Sequence, residues 1–232
     1  MGVGGIIMQD WIDAARLNII VGHFGSGKTE VSLNLAFSLA DRGHRFALAD
    51  LDIVDPYFRS RECHELLEAR GGRVITSSQQ HMDADLPALP PDIFSFFAQP
   101  EWYGVMDIGG NPAGARVLAR YRHDLKRCHA RVLCVVNANR PLSDTPEKAV
   151  YYIREIEKAA GLKINGIVHN SHCCQLTEID DIRNGAEMAE KVSALTDIPI
   201  VCHAVSRNLA EAVTDFVNPV FPMDIYMKKP WE

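Results

Sequence analysis

Leu17-Asn18-Ile19-Ile20-Val21-Gly22-His23-Phe24-Gly25-Ser26-Gly27-Lys28-Thr29-Glu30 decides how the rest of the chain is read. Its segment 22–29 fits G-x-x-x-x-G-K-[ST], a pattern that 232 residues of average composition meet by accident about once in a hundred. The apolar run 17–21 predicts a buried strand feeding a glycine loop, and Val31, Leu33, Leu35, Ala36 and Leu39 follow at helical spacing. Strand, glycine loop and helix in that order form a phosphate-binding loop. The glycines let backbone N–H groups turn toward phosphate oxygens, and the helix N-terminus adds a favourable dipole. Lys28 would reach the β- and γ-phosphates and the Thr29 hydroxyl would ligate Mg²⁺, with Gly22, Gly25, Ser26, Gly27 and Glu30 completing the cradle. The implied ligand is a nucleoside triphosphate.

The length suits one domain, 1–232, with a sizeable core. A net charge of −6 argues against a general nucleic-acid binder. No stretch is long and apolar enough to span a bilayer. The start, Met1-Gly2-Val3-Gly4-Gly5-Ile6, lacks a basic n-region, its apolar stretch stops at Asp10, and Ile6 stands where a myristoylation motif needs Ser or Thr. A cytoplasmic protein without a membrane function is expected. The six cysteines (63, 128, 134, 173, 174 and 202) show no disulfide framework, which fits a reducing compartment. Cys134 and Cys202 fall in apolar runs and read as small core residues.

Further strands are predicted at 45–50, 73–76, 102–107, 132–136, 164–169 and 198–203, with helices at 59–70, 112–127, 144–160, 178–195 and 206–215. Segment 77–91, with its Asp83-Ala84-Asp85-Leu86-Pro87-Ala88-Leu89-Pro90-Pro91, reads as a solvated loop. No repeat or low-complexity tract interrupts the alternation. Continuous apolar strands alternating with helices mean an α/β fold whose mainly parallel sheet is covered by helices on both faces. In such sheets ligands sit beyond the carboxyl ends of the strands, so the polar residues following each strand carry the chemistry.

The second strand ends Leu48-Ala49-Asp50-Leu51-Asp52-Ile53-Val54-Asp55-Pro56. Acids at Asp50 and Asp52, close behind the phosphate loop, suit a Mg²⁺ shell and the positioning of an attacking water. Asp52 and Asp55 can also cap the turn that follows. The run Trp102-Tyr103-Gly104-Val105-Met106-Asp107-Ile108-Gly109-Gly110 places an acid at the end of an apolar strand, so Asp107 could hold Mg²⁺ directly or through water. Asp107-x-x-Gly110 is also similar to the second switch of nucleotide-dependent proteins, where a glycine N–H senses the γ-phosphate.

Taken together, the glycine loop, the Asp-x-Asp after the second strand and the later Asp-x-x-Gly resemble the MinD/ParA/Mrp family of P-loop ATPases. Val136-Asn137-Ala138-Asn139-Arg140-Pro141 and Gly166-Ile167-Val168-His169-Asn170 extend the likeness over most of the chain. The resemblance implies an ATP- and Mg²⁺-dependent switch that acts on a partner protein and often dimerises around its nucleotide. It assigns Lys28 and Thr29 to the phosphate loop, Asp50 and Asp52 to the first switch, and Asp107 with Gly110 to the second. Asn170 falls where the family uses an amide to read the base. Lys28, Asp52 and Asp107 are thus the catalytic candidates, and Thr29, Asp50 and Asp107 the metal-binding ones. One position departs from the pattern. Most of the family carries an extra lysine one residue after the first loop glycine, and here His23 stands there, followed by Phe24. Without a permanent charge at that point, lysine-driven activation across a dimer is not expected and hydrolysis should be slow. Asn170-Ser171-His172-Cys173 lacks the Lys and Asp of the guanine-reading Asn-Lys-x-Asp, and an amide alone can pair with adenine, which favours ATP.

Other signals carry less. His169, His172, Cys173 and Cys174 combine thiol and imidazole, the chemistry of a metal or iron–sulfur carrier, but adjacent cysteines strain a shared tetrahedral site and no C-x-x-C occurs. Arg116, Arg120, Arg122, Lys126, Arg127 and Arg131 make the segment after the second switch basic, either a solvated helix face or a face for a dimer mate, an acidic partner or nucleic acid. The tail Tyr226-Met227-Lys228-Lys229-Pro230-Trp231-Glu232 is short and proline-broken for a membrane helix. A small-molecule kinase or ligase would use the same acids, yet no second, substrate-specific constellation is present.

Overall fold

In the computed structural model, which describes residues 11–51, 61–76, 93 and 99–227, the run ahead of the glycine loop forms β1, Leu17–Gly22, buried at every position. A strand apolar on both sides must be covered on both sides, and the elements that follow supply the cover. They are α1 (Lys28–Asp41), β2 (Arg45–Leu51), α2 (Arg61–Ala69), β3 (Arg73–Thr76), β4 (Trp102–Ile108), α3 (Pro112–Arg127), β5 (Arg131–Val136), α4 (Pro146–Ala160), β6 (Gly166–His169), α5 (Ile179–Thr196), β7 (Ile200–Ser206) and β8 (Val220–Met223). The strands build one eight-stranded sheet in the order β3-β2-β4-β1-β5-β6-β7-β8, and every described pair is parallel.

Alternation along the strands divides the core. Ile20, Leu48, Val105 and Leu133 face α1 with Val31 and Leu35, while Ile19, Ala49, Met106 and Val132 face Leu118 of α3, Ile153 of α4 and Val192 of α5. Local chemistry starts and stops the helices where the sequence indicates. Asn111 caps α3 by accepting from Gly114 N at 2.7 Å, Thr145 caps α4, both helices open with proline, and Gly161 closes α4 at φ 63°. The chain runs outward from β1 through β2 to β3, returns as β4 between β2 and β1, then crosses to β5 and continues to β8. The reversal of direction beside β1 is the switch point at which α/β sheets bind ligands.

One expected helix needs correction, and some expectations fall outside the described residues. The helix expected at 206–215 is a single 3₁₀ turn, Ala210–Val213, in which Val213 alone is buried, so no apolar stripe supports a longer helix. An eighth strand follows instead. Pro222 is tolerated within it because β8 lies at the sheet edge, where a missing N–H on the open side costs no ladder bond. The loop at 77–91 and the tail at 228–232 lie outside the described residues, as do Asp52 and Asp55. Among the described residues no helix is long and apolar enough to cross a membrane.

The joint between α4 and β6 holds a buried carboxylate. Glu157, 7% exposed, accepts from Ile164 N at 3.1 Å and from Lys163 and Arg154 at 2.9 and 3.0 Å. Burial pushes this carboxyl up, but the bonds from Lys163, Ile164 N–H and Arg154 together outweigh it and hold it below the usual carboxylate range. Glu157→Ala leaves the Ile164 N–H without its acceptor and should cost about 1–3 kcal/mol in urea unfolding at pH 7; an unchanged midpoint would contradict this account of the joint.

Candidate functional site

The glycine loop lies at the carboxyl end of β1, with α1 starting from it at Lys28. Two of its glycines are required by space as well as by backbone angle. Gly22 has φ 149°, and a Cβ there would stand 2.6 Å from the Val135 carbonyl oxygen; Gly27, at φ 90°, would press a Cβ to 2.2 Å from Asn170 Nδ2. Side chains from neighbouring strand ends clasp the loop from outside. Asn170, just past β6, donates to Ser26 O at 2.8 Å, and Arg140, beyond β5, donates through Nε to Gly25 O at 2.8 Å. The Lys28 ammonium turns back over the loop, 3.4 Å from His23 O, and its side chain is buried. Ser26 is fully buried, whereas Phe24 is 63% exposed at the loop's tip.

Beside the loop, parallel register aligns the acids. Asp50 of β2 and Asp107 of β4 are direct register partners, Ile20 of β1 stands opposite Asp107, and both acids continue the face that α1 covers. Asp50 is 3% and Asp107 0% exposed. The Thr29 hydroxyl donates to Asp107 Oδ2 at 2.7 Å, closing a contact between residues 78 apart in sequence. A hydroxyl and two carboxylates form a hard oxygen donor set of the kind Mg²⁺ takes, so the residues present fit that ion.

Gly110 completes this corner, two residues past β4. It is packed so closely that a Cβ would stand 2.8 Å from Lys28 Nζ and 2.8 Å from Phe24 N. Its carbonyl accepts from the Tyr152 hydroxyl of α4, and the His23 ring meets Tyr152 edge-on with centroids 5.3 Å apart. Burial, helped by the charges of Lys28 and Arg140, lowers the pKa of His23, so the imidazole is neutral near pH 7. Asp52 lies outside the described residues.

A cavity of about 210 Å³ opens on the other side of Asn170. Asn170, Ser171 and His172 line one wall, and Val205, Ser206, Met223 and Met227 the other. The carboxylates at its rim are engaged. Glu30 accepts from Tyr226 N and Met227 N, and Asp224 holds Arg207 through two bonds of 2.8 and 2.7 Å. Glu30 therefore ties the C-terminal segment across α1 and does not point into the phosphate loop. Burial, with the Arg140 charge adding, lowers His172 to about 4, and a Cβ on Gly27 would meet its Nε2 at 3.1 Å.

The thiol–imidazole cluster comes apart in three dimensions. Cys173 and Cys174 are exposed, while His169 is buried and pairs Nδ1 to Nδ1 with His203 of β7 at 3.0 Å. Among the described residues no group of three or more His, Cys, Asp or Glu side chains gathers to hold a metal ion. Arg116, Arg120 and Arg122 are exposed on α3. Lys126 joins Arg154, Lys158 and Lys163 around an open hollow of about 550 Å³ by the amino end of β5, away from the glycine loop, where basic side chains answer the carbonyl ends of α3 and α4. Arg140 and Tyr152 are the contributors that pattern reading missed. Arg140 follows a strand end, the signal that could have flagged it; Tyr152 sits within a helix and carries no motif.

The family model described as the CobQ/CobB/MinD/ParA nucleotide binding domain (CbiA) matches residues 19–213. No curated protein matches the chain in sequence. Among solved structures, the cell division protein FtsY of Thermotoga maritima is 20% identical, with 79% of this chain and 60% of that one aligned at a TM-score of 0.55. The signal recognition particle receptor FtsY of Elizabethkingia anophelis is 17% identical over 81% of this chain and 58% of that one, TM-score 0.52. The signal recognition particle 54 kDa protein of Aeropyrum pernix K1, solved in complex with GDP, is 20% identical over 79% of this chain and 40% of that one, TM-score 0.52. At these identities the likeness is one of fold, and the chain spans 40 to 60% of the length of these structures.

The buried histidine pair gives the fold a pH-dependent stability. Burial lowers His169 to about 3, with the His203 ring adding to the effect, and lowers His203 to about 4. Both are neutral in the folded state at pH values where the unfolded chain, titrating near 6.5, already binds protons. Stability is therefore complete above about pH 6.5 and falls as pH drops toward 4, by up to about 1.4 kcal/mol per pH unit for each histidine. Urea titrations from pH 7 to 4.5 should show this slope, reduced by about one proton in His203→Asn; a flat profile would contradict it.

Proposed function

The chain belongs to the CobQ/CobB/MinD/ParA nucleotide-binding family, and on that premise we propose that it is a Mg²⁺-dependent ATPase switch of the MinD/ParA/Mrp type, slow on its own and acting on a protein partner. The observation that carries this reading is the 2.7 Å bond between Thr29 and Asp107. It brings the last residue of the phosphate loop to the acid at the end of β4, with Asp50 alongside in register. Thr29, Asp107 and Asp50 would hold the metal, which would neutralise phosphate charge when bound. Lys28 and the backbone N–H groups of residues 25–29 stabilise the transferred phosphoryl, and Gly110 senses the γ-phosphate. Asp52 is assigned, on sequence alone, to orienting the attacking water.

Several features support the finer parts of the proposal. The cavity beside Asn170 suits one base, and its carboxylates are already engaged by Arg207 and by backbone N–H groups, so guanine finds no acid to grip its N–H edge. Asn170 gives one amide hydrogen to Ser26 O, which leaves its other hydrogen and its oxygen to read adenine. His23, neutral and packed on Tyr152, does not replace the family's cross-dimer lysine, which supports slow turnover. The exposed Phe24 would be covered if two copies faced each other across nucleotide. A single domain, 1–232, acting in the cytoplasm completes the proposal.

Phosphate release should show ATP preferred over GTP by at least about tenfold in kcat/KM, the scale of one recognised polar edge. Asp52→Ala should lower kcat about a hundredfold with ATP affinity little changed, and Asp107→Asn should raise the Mg²⁺ concentration needed for half-maximal rate about tenfold or more. Equal use of GTP would remove the adenine assignment, and a wild-type rate in Asp52→Ala would remove its role.

A further inference from the structure

Gly110, Lys28, Phe24 and Tyr152 form a closed set of contacts at the corner where a terminal phosphate would enter. A Cβ on Gly110 would stand 2.8 Å from both Lys28 Nζ and Phe24 N. The distance to the ammonium is a hydrogen-bonding one, so an oxygen accepting from Lys28 Nζ would occupy much the same point, which also lies 2.9 Å from Phe24 Cα, against the loop backbone. The point is one bond length from the glycine Cα. Gly110, as it stands, excludes a phosphate oxygen from this position. Its backbone is held there by the Tyr152 hydroxyl, which donates to the Gly110 carbonyl. Tyr152 is itself braced. It belongs to the middle of α4, its ring is partly buried, and the His23 ring packs against it at 5.3 Å. Burial raises the phenol well above its ordinary value, so it keeps its proton and stays a donor.

Resting on the nucleotide-switch reading above, we infer that Tyr152 is a positioning residue that discriminates between nucleotide states: its bond to Gly110 latches the second-switch glycine over Lys28 and disfavours a nucleoside triphosphate relative to a diphosphate. Entry of the γ-phosphate requires Gly110 to withdraw and the bond to Tyr152 to break. A diphosphate leaves the latch closed. The same movement carries the signal into α4, because the group released is part of that helix. His23 acquires a role here that differs from that of the family lysine: it supports the latch in its own subunit and does not reach toward another.

The test is equilibrium binding of ADP and of a non-hydrolysable ATP analogue, each with Mg²⁺, to the wild-type chain and to Tyr152→Phe. Removing one hydrogen bond to a backbone carbonyl should raise the analogue-to-ADP affinity ratio about three- to tenfold, with the change carried by the analogue. A second reading comes from ¹⁹F NMR of the full chain with fluorotyrosine, where the resonance lost in Tyr152→Phe should shift with the analogue and stay in place with ADP. A ratio within twofold of wild type, or an equal loss of both nucleotides, overturns the latch and leaves the nucleotide reading intact. Wild-type protein that binds neither nucleotide overturns both.

Discussion

The hydrogen bond from the Thr29 hydroxyl to Asp107 is the contact on which the arrangement of the site depends. Thr29 belongs to the first turn of α1 and Asp107 to the penultimate position of β4, so the bond fixes the helix leaving the phosphate loop against the strand beside β1. Parallel register then determines everything next to it. Asp50 is brought alongside Asp107 because β2 and β4 pair over seven residues without a shift, and Gly110 is brought over Lys28 because β4 ends two residues before it. A slip of one residue in β4 would turn Asp107 to the opposite face, toward α3 and α4, and disperse the oxygen donors. The buried, doubly covered sheet makes such a slip costly, and in this way core packing and site chemistry are one constraint.

The loop is also gripped from the far side of the sheet. Arg140 holds Gly25, Asn170 holds Ser26, and both reach it from the ends of strands that follow β1 in the sheet order. Three strand ends thus meet on one short loop. In the proposed switch, nucleotide binding, base reading and any movement of Gly110 would act on the same few backbone groups, so that a change beside Gly110 would be felt at α4 through Tyr152 and at the cavity beside Asn170. The C-terminal segment adds a further tie, since Glu30 and Asn34 of α1 bond to residues 224–227, so α1 is buried nearly all round.

Much of this was legible in the sequence where a motif coincides with a strand end. The glycine loop, Asp50, Asp107 and Asn170 all follow apolar runs, and a parallel sheet brings such positions to one edge. The residues that escaped did so for identifiable reasons. Tyr152 lies at helical spacing among Ile153 and Ile156 and reads as ordinary packing, because its partner is a backbone carbonyl and backbone partners leave no pattern. Glu30 reads as part of the phosphate cradle by position, and only the fold shows that its carboxylate serves residues 226 and 227, nearly two hundred positions away. His169 and His203 lie in separate strands, and their pairing follows from a register that includes a bulge between Ile167 and Val168, which spacing does not reveal. β8 holds a single proline, Pro222, and is too short to show alternation, so no strand is read there.

The central claim is that the loop at 22–29 binds a nucleoside triphosphate with its metal held by Thr29 and the acids beside it. Titration calorimetry of ATP into the purified chain, with and without Mg²⁺ and with Lys28→Ala for comparison, tests it most directly. The account predicts one nucleotide per chain, tighter with Mg²⁺ than without, and an affinity at least about a hundredfold weaker in Lys28→Ala, the scale of losing a buried charge-assisted contact. Binding that ignores both Mg²⁺ and Lys28, or no binding at all, would contradict it.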